Sequence, residues 1–337
     1  MIKTIFIFCI LATLTLALSN TNYRFEKPAH FPEPHYDFSK NSLNPEIIEL
    51  GKKLFYDPIL SKDSTISCAS CHSPFNAFAH TDHDLSHGIR DQIGFRNAPA
   101  LFNLAWHSNF MWDGAVNHLD MQALAPISSH TEMDENISNI CQKLSRSDNY
   151  QKLFNKAFGD SSISGERVLK ALSQFQLCLV SAESKYDSVI RNQSIFTAQE
   201  KKGYALFLEH CNICHTEPLF SNFKFSDNGL PLDTTLNDFG RMKVTQNKAD
   251  SLKFKIPSLR NLQYSYPYMH DGRFKKLSEV LNHYVKGIEN RPGLAIELEN
   301  RIPLSSTEKV DLIAFLLTLN DKNFVFNKEF GFPKLDK

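Results

Sequence analysis

The chain lacks a charge of its own. Its 37 Lys and Arg balance 37 Asp and Glu, the isoelectric point is about 7.2, and no long run of like charge occurs. That removes the basic footprint expected of a nucleic-acid binder. Long hydrophobic runs are equally scarce. Beyond the leader-like start "MIKTIFIFCILATLTLALSN", no stretch is apolar enough to span a membrane. Strand-like alternation of apolar and polar residues is rare, which excludes a sandwich or barrel and leaves a mainly α chain. Spare cysteines are few: of seven, four fall into two short motifs and Cys9 lies in the leader. What remains is an ordinary globular composition, 42% hydrophobic and 22% charged over 337 residues, long enough for two domains.

The start places Lys3 before an apolar run that ends near Leu18, with small residues at Ala17 and Ser19. This pattern suits a secretory signal peptide over residues 1–19, an uncleaved anchor being the alternative. Either form puts the folded part outside the cytoplasm. Cys141 and Cys178 sit in helix-like stretches. A disulfide between them fits an oxidising compartment, while a pair of buried free thiols is the simpler reading.

The four remaining cysteines spell one pattern twice: "SCASCHSP" at 67–74 and "HCNICHTE" at 210–217. Cys-x-x-Cys alone fits zinc, a redox dithiol or covalent haem. A histidine directly after the second cysteine favours c-type haem attachment. One helical turn presents both thiols to the vinyl groups, and the next residue turns its imidazole to the iron. The spacing assigns Cys68, Cys71 and His72 to one haem, and Cys211, Cys214 and His215 to another. One structural zinc site built from the four thiols would leave both histidines unexplained. A thioredoxin-like site would want a βαβ context that is not visible.

The segments before the motifs repeat as well. "NPEIIELGKKLFYDP" and "TAQEKKGYALFLEH" share Gly-x-x-Leu-Phe, at Gly51, Leu54, Phe55 and at Gly203, Leu206, Phe207. Thr197 with Glu200 reads as a capping box. Ser305 with Glu308 caps a closing helix whose expected apolar positions are Val310, Ile313, Leu316 and Leu317, packed over the second haem unit. The expectation is two cytochrome-c-like helical haem domains joined near "SAESKYDSVIRNQSIFTAQE", residues 20–190 and 191–337. Long irregular loops are expected at 73–100 and 216–260.

Two further stretches, "RNAPALFNLAWHSNFMWDGAVNHLDMQALAPISSHTEMDEN" (96–136) and "FKIPSLRNLQYSYPYMHDGRFKKLSEVLNHYVKG" (254–287), complete a resemblance. Together with the haem motifs, they resemble the bacterial di-haem cytochrome c peroxidase superfamily, which includes MauG. In that family the N-terminal haem reacts with peroxide. A tryptophan in an "FWDGR"-like motif lies between the haems and mediates electron transfer; here "MWDGA" gives Trp112. The resemblance implies a distal-pocket glutamine at Gln122, a proline at Pro126 and a distal glutamate at Glu132, followed by Met133. Taken singly, Trp112 is an ordinary core aromatic, Gln122 a surface amide and Glu132 a solvated charge; their joint spacing is the signal. A carboxylate over an open iron position can move a proton between the two oxygens of bound peroxide.

At the second haem the family divides between a methionine and, in MauG, a tyrosine as sixth ligand. Counting from "SYPYMHDG" implies Tyr284, with Met269, His270 and His283 as competing neighbours. A phenolate ligand stabilises the ferric and higher states, whereas a thioether raises the potential. The family also implies one calcium ion between the haems, held by the Asn97 side chain and the carbonyls of Ser265 and Pro267. Arg260 and Arg241 are candidates to pair with haem propionates, and one of His80, His83 and His87 to ligate the first iron at rest.

The resemblance thus implies a periplasmic peroxidase that reduces hydrogen peroxide to water with electrons from a small redox protein such as a c-type cytochrome. A homodimer is one expected assembly. Two alternatives stand beside it: a MauG-like oxidase acting on a protein or small molecule through a high-valent iron state, and a non-enzymatic electron carrier.

Overall fold

In the computed structural model, residues 24–333 are described; the leader expected over 1–19 lies outside them. The order of elements is α1 (Pro45–Tyr56), α2 (Cys68–Cys71), α3 (Leu119–Gln122), α4 (Leu124–Ser128), α5 (Ile137–Ser145), α6 (Asp148–Phe158) and α7 (Gly165–Leu177). Then follow α8 (Lys185–Ile190), α9 (Ala198–His210), β1 (Phe225–Ser226), α10 (Met242–Thr245) and β2 (Phe254–Lys255). The chain closes with α11 (Leu277–Asn282), a π-helical turn over His283–Gly287, α12 (Ser306–Leu317) and α13 (Lys322–Val325). The architecture is mainly α, as expected. The strands are two residues each, antiparallel, with Phe225 opposite Lys255 and Ser226 opposite Phe254. Between the helices, 73–100 and 216–260 run largely as loops.

The Gly-x-x-Leu-Phe repeat has a structural counterpart. Helix α1 packs on α7, and α9 packs on α12. A Cβ at Gly51 would lie 1.8 Å from Ala171 O, and one at Gly203 would lie 1.9 Å from Asp311 O. Each glycine therefore lets one helix backbone touch the next. The phenylalanine four residues on fills the space beside each contact. Phe55 meets Phe175 at 5.2 Å between ring centroids, and Phe207 meets Phe315 at 5.1 Å. Both helix pairs thus present the same glycine-plus-two-phenylalanine crossing.

Two apolar clusters result. One gathers Leu50, Leu54, Phe55, Phe78, Phe154 and Phe175; the other gathers Tyr186, Phe207, Phe220, Leu312, Phe315 and Leu316. Chain order does not separate them fully, because Phe324 and Val325 of α13 return to the first cluster. Capping boxes at Thr197/Glu200 and Ser305/Glu308 start α9 and α12 as expected. The buried face of α12 matches the expected one in part: Leu316 is buried and Ile313 packs half-buried against the second cluster. Leu312 and Phe315 are buried as well, whereas Val310 and Leu317 are 56% and 42% exposed. The nearly unbroken apolar run from Leu312 to Leu317 gave the period no clear phase. The stretch expected to link domains forms α8, whose Asp187 is fully buried and holds Arg260 through two hydrogen bonds of 2.8 and 2.7 Å. Cys141 and Cys178 are free thiols.

Candidate functional site: one cavity between two cysteine-histidine motifs

Both motifs open onto one cavity of about 420 Å³, whose walls include Cys68, Cys71 and His72 as well as Cys211, Cys214 and His215. The first motif folds as the single turn α2, and the second follows the end of α9. The thiols do not form a common metal cluster: among the described residues no group of three or more His, Cys, Asp or Glu converges as a metal site. Burial pushes the Cys68 and Cys211 thiols up to about 12 and Cys71 to about 11. They are protonated thiols, the form from which thioethers are made.

The two histidines are held alike. His72 Nδ1 donates to Phe78 O at 2.8 Å; His215 Nδ1 donates to Pro257 O at 3.1 Å and Phe220 O at 3.3 Å. Phe78 and Phe220 both adopt left-handed backbone, with φ of 57° and 55°. A bulky residue held there is strained, and in both places it turns its carbonyl onto the motif histidine. Burial lowers both imidazoles to about 4, so each is neutral at pH 7. Nδ1–H is committed and Nε2 is left as a lone-pair donor, the arrangement typical of a metal-ligating histidine. These residues fit two covalent haems. Sequence reasoning missed the two phenylalanine carbonyls, which lie six positions after His72 and five after His215.

Trp112, Gln122, Pro126, Glu132, Asn97, Ser265, Pro267 and Tyr284 all line the same cavity. Trp112 Nε1 donates to Asn97 O at 2.8 Å, and Trp112 O accepts from Lys255 N at 2.7 Å. The indole is therefore fixed between the segment after the first motif and the strand β2. Gln122 Nε2 points to Met111 Sδ at 3.7 Å. Pro126 in α4 accepts from Met133 N, which folds the 126–133 turn back so that Glu132 reaches the first motif. A Cβ at Gly88 would lie 2.4 Å from Glu132 Cα, and Cys71 Sγ donates to His87 O at 3.3 Å. Glu132 thus stands beside Cys71 through the His87–Gly88 crossing. Burial raises its carboxyl above the usual range.

On the second side, Tyr284 lies in the π-helical turn after α11, a local widening of the helix common at functional sites. Burial pushes its phenol up to about 12, against a hydrogen bond from Asn228 that favours the phenolate. Asn228 also donates to Met269 Sδ at 3.5 Å, and its carbonyl accepts from His283 Nε2 at 3.0 Å. His283 is committed by that bond. His270 is stacked on Phe254 with ring centroids 3.7 Å apart. Tyr284 and Met269 both face the cavity. Asn228, which touches both, was hidden in a turn-like "SDNG".

Two expectations need correction. Arg260 is fully buried and is spent on Asp187 and Pro218 O, not on a cavity anion. Arg241 stacks its guanidinium on Phe225 at 3.9 Å and donates to Asp113 O. In both, the partner lies far away in sequence, which the local context could not reveal. Of the loop histidines, His87 reaches the cavity wall, stacked on His83 at 4.0 Å, while His80 is buried with Nδ1 unpartnered.

A mainly helical chain that turns two thiol pairs and two oriented imidazoles into one cavity has the makings of a di-haem c-type protein. Residues 45–194 match the family described as di-haem cytochrome c peroxidase. The chain is 38% identical over 308 residues to the methylamine utilization protein MauG of Methylorubrum extorquens, covering 88% of this chain and 83% of that one. It is 35% identical over 286 residues to cytochrome c551 peroxidase of Nitrosomonas europaea, covering 82% and 80%. A crystal structure of a MauG-like protein associated with microbial copper homeostasis superposes with a TM-score of 0.81 at 28% identity, covering 92% of this chain and 99% of that one. The chain belongs to the di-haem cytochrome c peroxidase and MauG family, and that family implies two haem c groups.

Proposed function

We propose that the chain reduces hydrogen peroxide to water, taking electrons from a small redox protein such as a c-type cytochrome. The observation that carries this reading is Glu132: a half-buried carboxylate on the cavity wall, set against Cys71 of the first motif. When bound, the haems supply two redox-active irons. His72 and His215 offer a neutral Nε2 to them. Glu132 takes the proton of the peroxide oxygen nearer the iron and returns it to the departing oxygen. Gln122, with Pro126 shaping the turn, orients peroxide or water above that face. Trp112, fixed at both its indole nitrogen and its carbonyl, passes electrons between residues 20–190, which we assign to the peroxidatic lobe, and residues 191–337, assigned to the electron-transfer lobe. Asn97 donates its amide nitrogen to Asp84 O, which leaves its side-chain oxygen as the atom that would serve a calcium ion, with the carbonyls of Ser265 and Pro267 as the other protein donors. Covalent haem attachment outside the cytoplasm supports a periplasmic location.

The test is turnover of peroxide with reduced cytochrome c by the haem-loaded protein. Glu132→Gln keeps the shape and both haems and loses about 10²–10⁴-fold in rate, the usual range for a general acid–base group. A full rate in that variant removes Glu132 from the chemistry.

Tyr284 favours a second reading, a MauG-like oxidase, and relatives named MauG stand beside those named peroxidase. An anionic phenolate on the second iron would hold it oxidised. In that case peroxide leaves a long-lived oxidised absorption signature, and cytochrome donors turn over poorly. Tyr284→Met raises the potential of one haem; an unmoved potential means that Tyr284 is not the ligand. A plain electron carrier would show no peroxide reaction in any redox state.

A further inference from the structure

Two porphyrins carry four propionate groups, and a buried anion needs a partner. Two of the described cavity-lining residues are Lys or Arg: Arg96 and Lys255. Arg96 is already neutralised. Its Nη1 donates to Asp113 at 2.6 Å, and its Nε and Nη2 donate to Asp238 at 2.6 and 2.9 Å. Lys255 stands otherwise. Its Nζ donates to Asn109 O at 2.9 Å and to His107 Nδ1 at 3.3 Å. The acidic group that acts on it is Asp113, which Arg96 holds.

Donor directions settle what is left over. An ammonium has three N–H donors and no acceptor, so His107 Nδ1 is the acceptor and the ring proton sits on Nε2. Among the described residues, nothing takes up one lysine N–H or the imidazole Nε2–H. The His107 ring is fixed by Phe223, 4.3 Å away between centroids, and by Phe110 at 6.1 Å. Lys255 is fixed by β2 and by its backbone bond to Trp112 O. Without an anion, the arrangement is costly: burial lowers the lysine to about 8 and holds the histidine well below its ordinary value.

We infer that Lys255 and His107 form a two-donor cradle for one haem propionate beside Trp112. Lysine supplies the charge-assisted bond and histidine the second N–H. The cradle pins the edge of that porphyrin against the strand that also holds the tryptophan. Its cation favours the ferrous over the ferric haem, which bears one more positive charge. This inference rests on the di-haem reading.

The test uses the haem-loaded protein and three readouts: covalent haem per chain, potentiometric titration of both haems, and the propionate bending modes in resonance Raman spectra. In Lys255→Met, two covalent haems remain, one potential falls and the propionate mode of that haem shifts. Lys255→Arg returns both toward the parent values, and His107→Leu moves the same haem by less. Unchanged potentials and modes in Lys255→Met overturn the cradle. So do equal shifts in the Met and Arg variants, which would mark a lysine that merely braces Asn109 and Trp112. Should Lys255→Met fail to mature, His107→Leu decides: no change in either readout overturns the assignment. A parent protein with no covalent haem would sink the di-haem reading itself, a separate failure visible in the first readout.

Discussion

At the scale of single residues, the site is a set of titratable groups moved by burial into useful protonation states. Burial raises Glu132, so it holds its proton to a higher pH than an exposed glutamate does. The sign for catalysis follows. In the proposed reaction Glu132 starts as a carboxylate to accept the first proton. The rate of reaction with peroxide therefore falls as pH drops through the raised value, and is full above it. Stopped-flow rates across acidic pH test this; a profile that stays flat until the ordinary carboxylate range would show that Glu132 is not the group being read. The two Cys-x-x-Cys-His motifs proposed to attach haem were legible in the sequence, because each is complete within five residues. Trp112, Gln122, Pro126 and Glu132 were legible only as a spaced set. Arg260 was misread, and Lys255 and Asn228 were missed, for one reason. Their meaning comes from groups 73, 146 and 41 positions away, respectively, and a sequence window contains none of those neighbours.

At the scale of helices, the doubled Gly-x-x-Leu-Phe motif marks two equivalent crossings. Gly203 abuts Asp311 O with no room for a methyl group, and the obstacle is backbone. Gly203→Ala must push α9 away from α12 and open the packing of Phe207 on Phe315. Overpacking of this kind costs about 1–3 kcal/mol, and sometimes more. Urea unfolding should give a lower midpoint with an unchanged slope, and Gly51→Ala should do the same at α1 and α7. If the Gly203→Ala midpoint matches the parent, the close approach of the helices is not maintained in solution. The glycine was visible in the sequence as part of a repeat; its purpose was not, since the residue it touches lies on a helix about a hundred positions later. The same limit explains α12. Its Ser305 cap is a local signal and was read correctly, while the face it buries depends on where α9 and the cavity lie.

At the scale of the whole molecule, a few buried ion pairs tie distant parts of the chain around the cavity. Arg96 joins the segment after the first motif to Asp113 and, in the later loop, to Asp238. Asp187 of α8 accepts from Arg260 twice and from His30 Nε2 at 2.8 Å, and so connects the early chain, α8 and the loop that carries Arg260. Burial by itself would raise the Asp187 carboxyl, but hydrogen bonds from Arg260, His30 and Ser184 outweigh it and hold the group well below the usual range. Removing one partner of a buried pair leaves the other charge uncompensated, at about 3–5 kcal/mol. Asp187→Asn should therefore be destabilised by that order near neutral pH, with Arg260 left in a pocket that cannot hydrate it. The pH dependence has a fixed sign. A depressed folded-state value means the contribution is complete above the unfolded carboxylate value, about 3.9, and is lost as pH falls below it. Denaturation of parent and variant from pH 7 downward should give two curves that lie far apart at neutrality and converge in acid. Curves separated by a constant amount at every pH would show that Asp187 contributes shape and not charge.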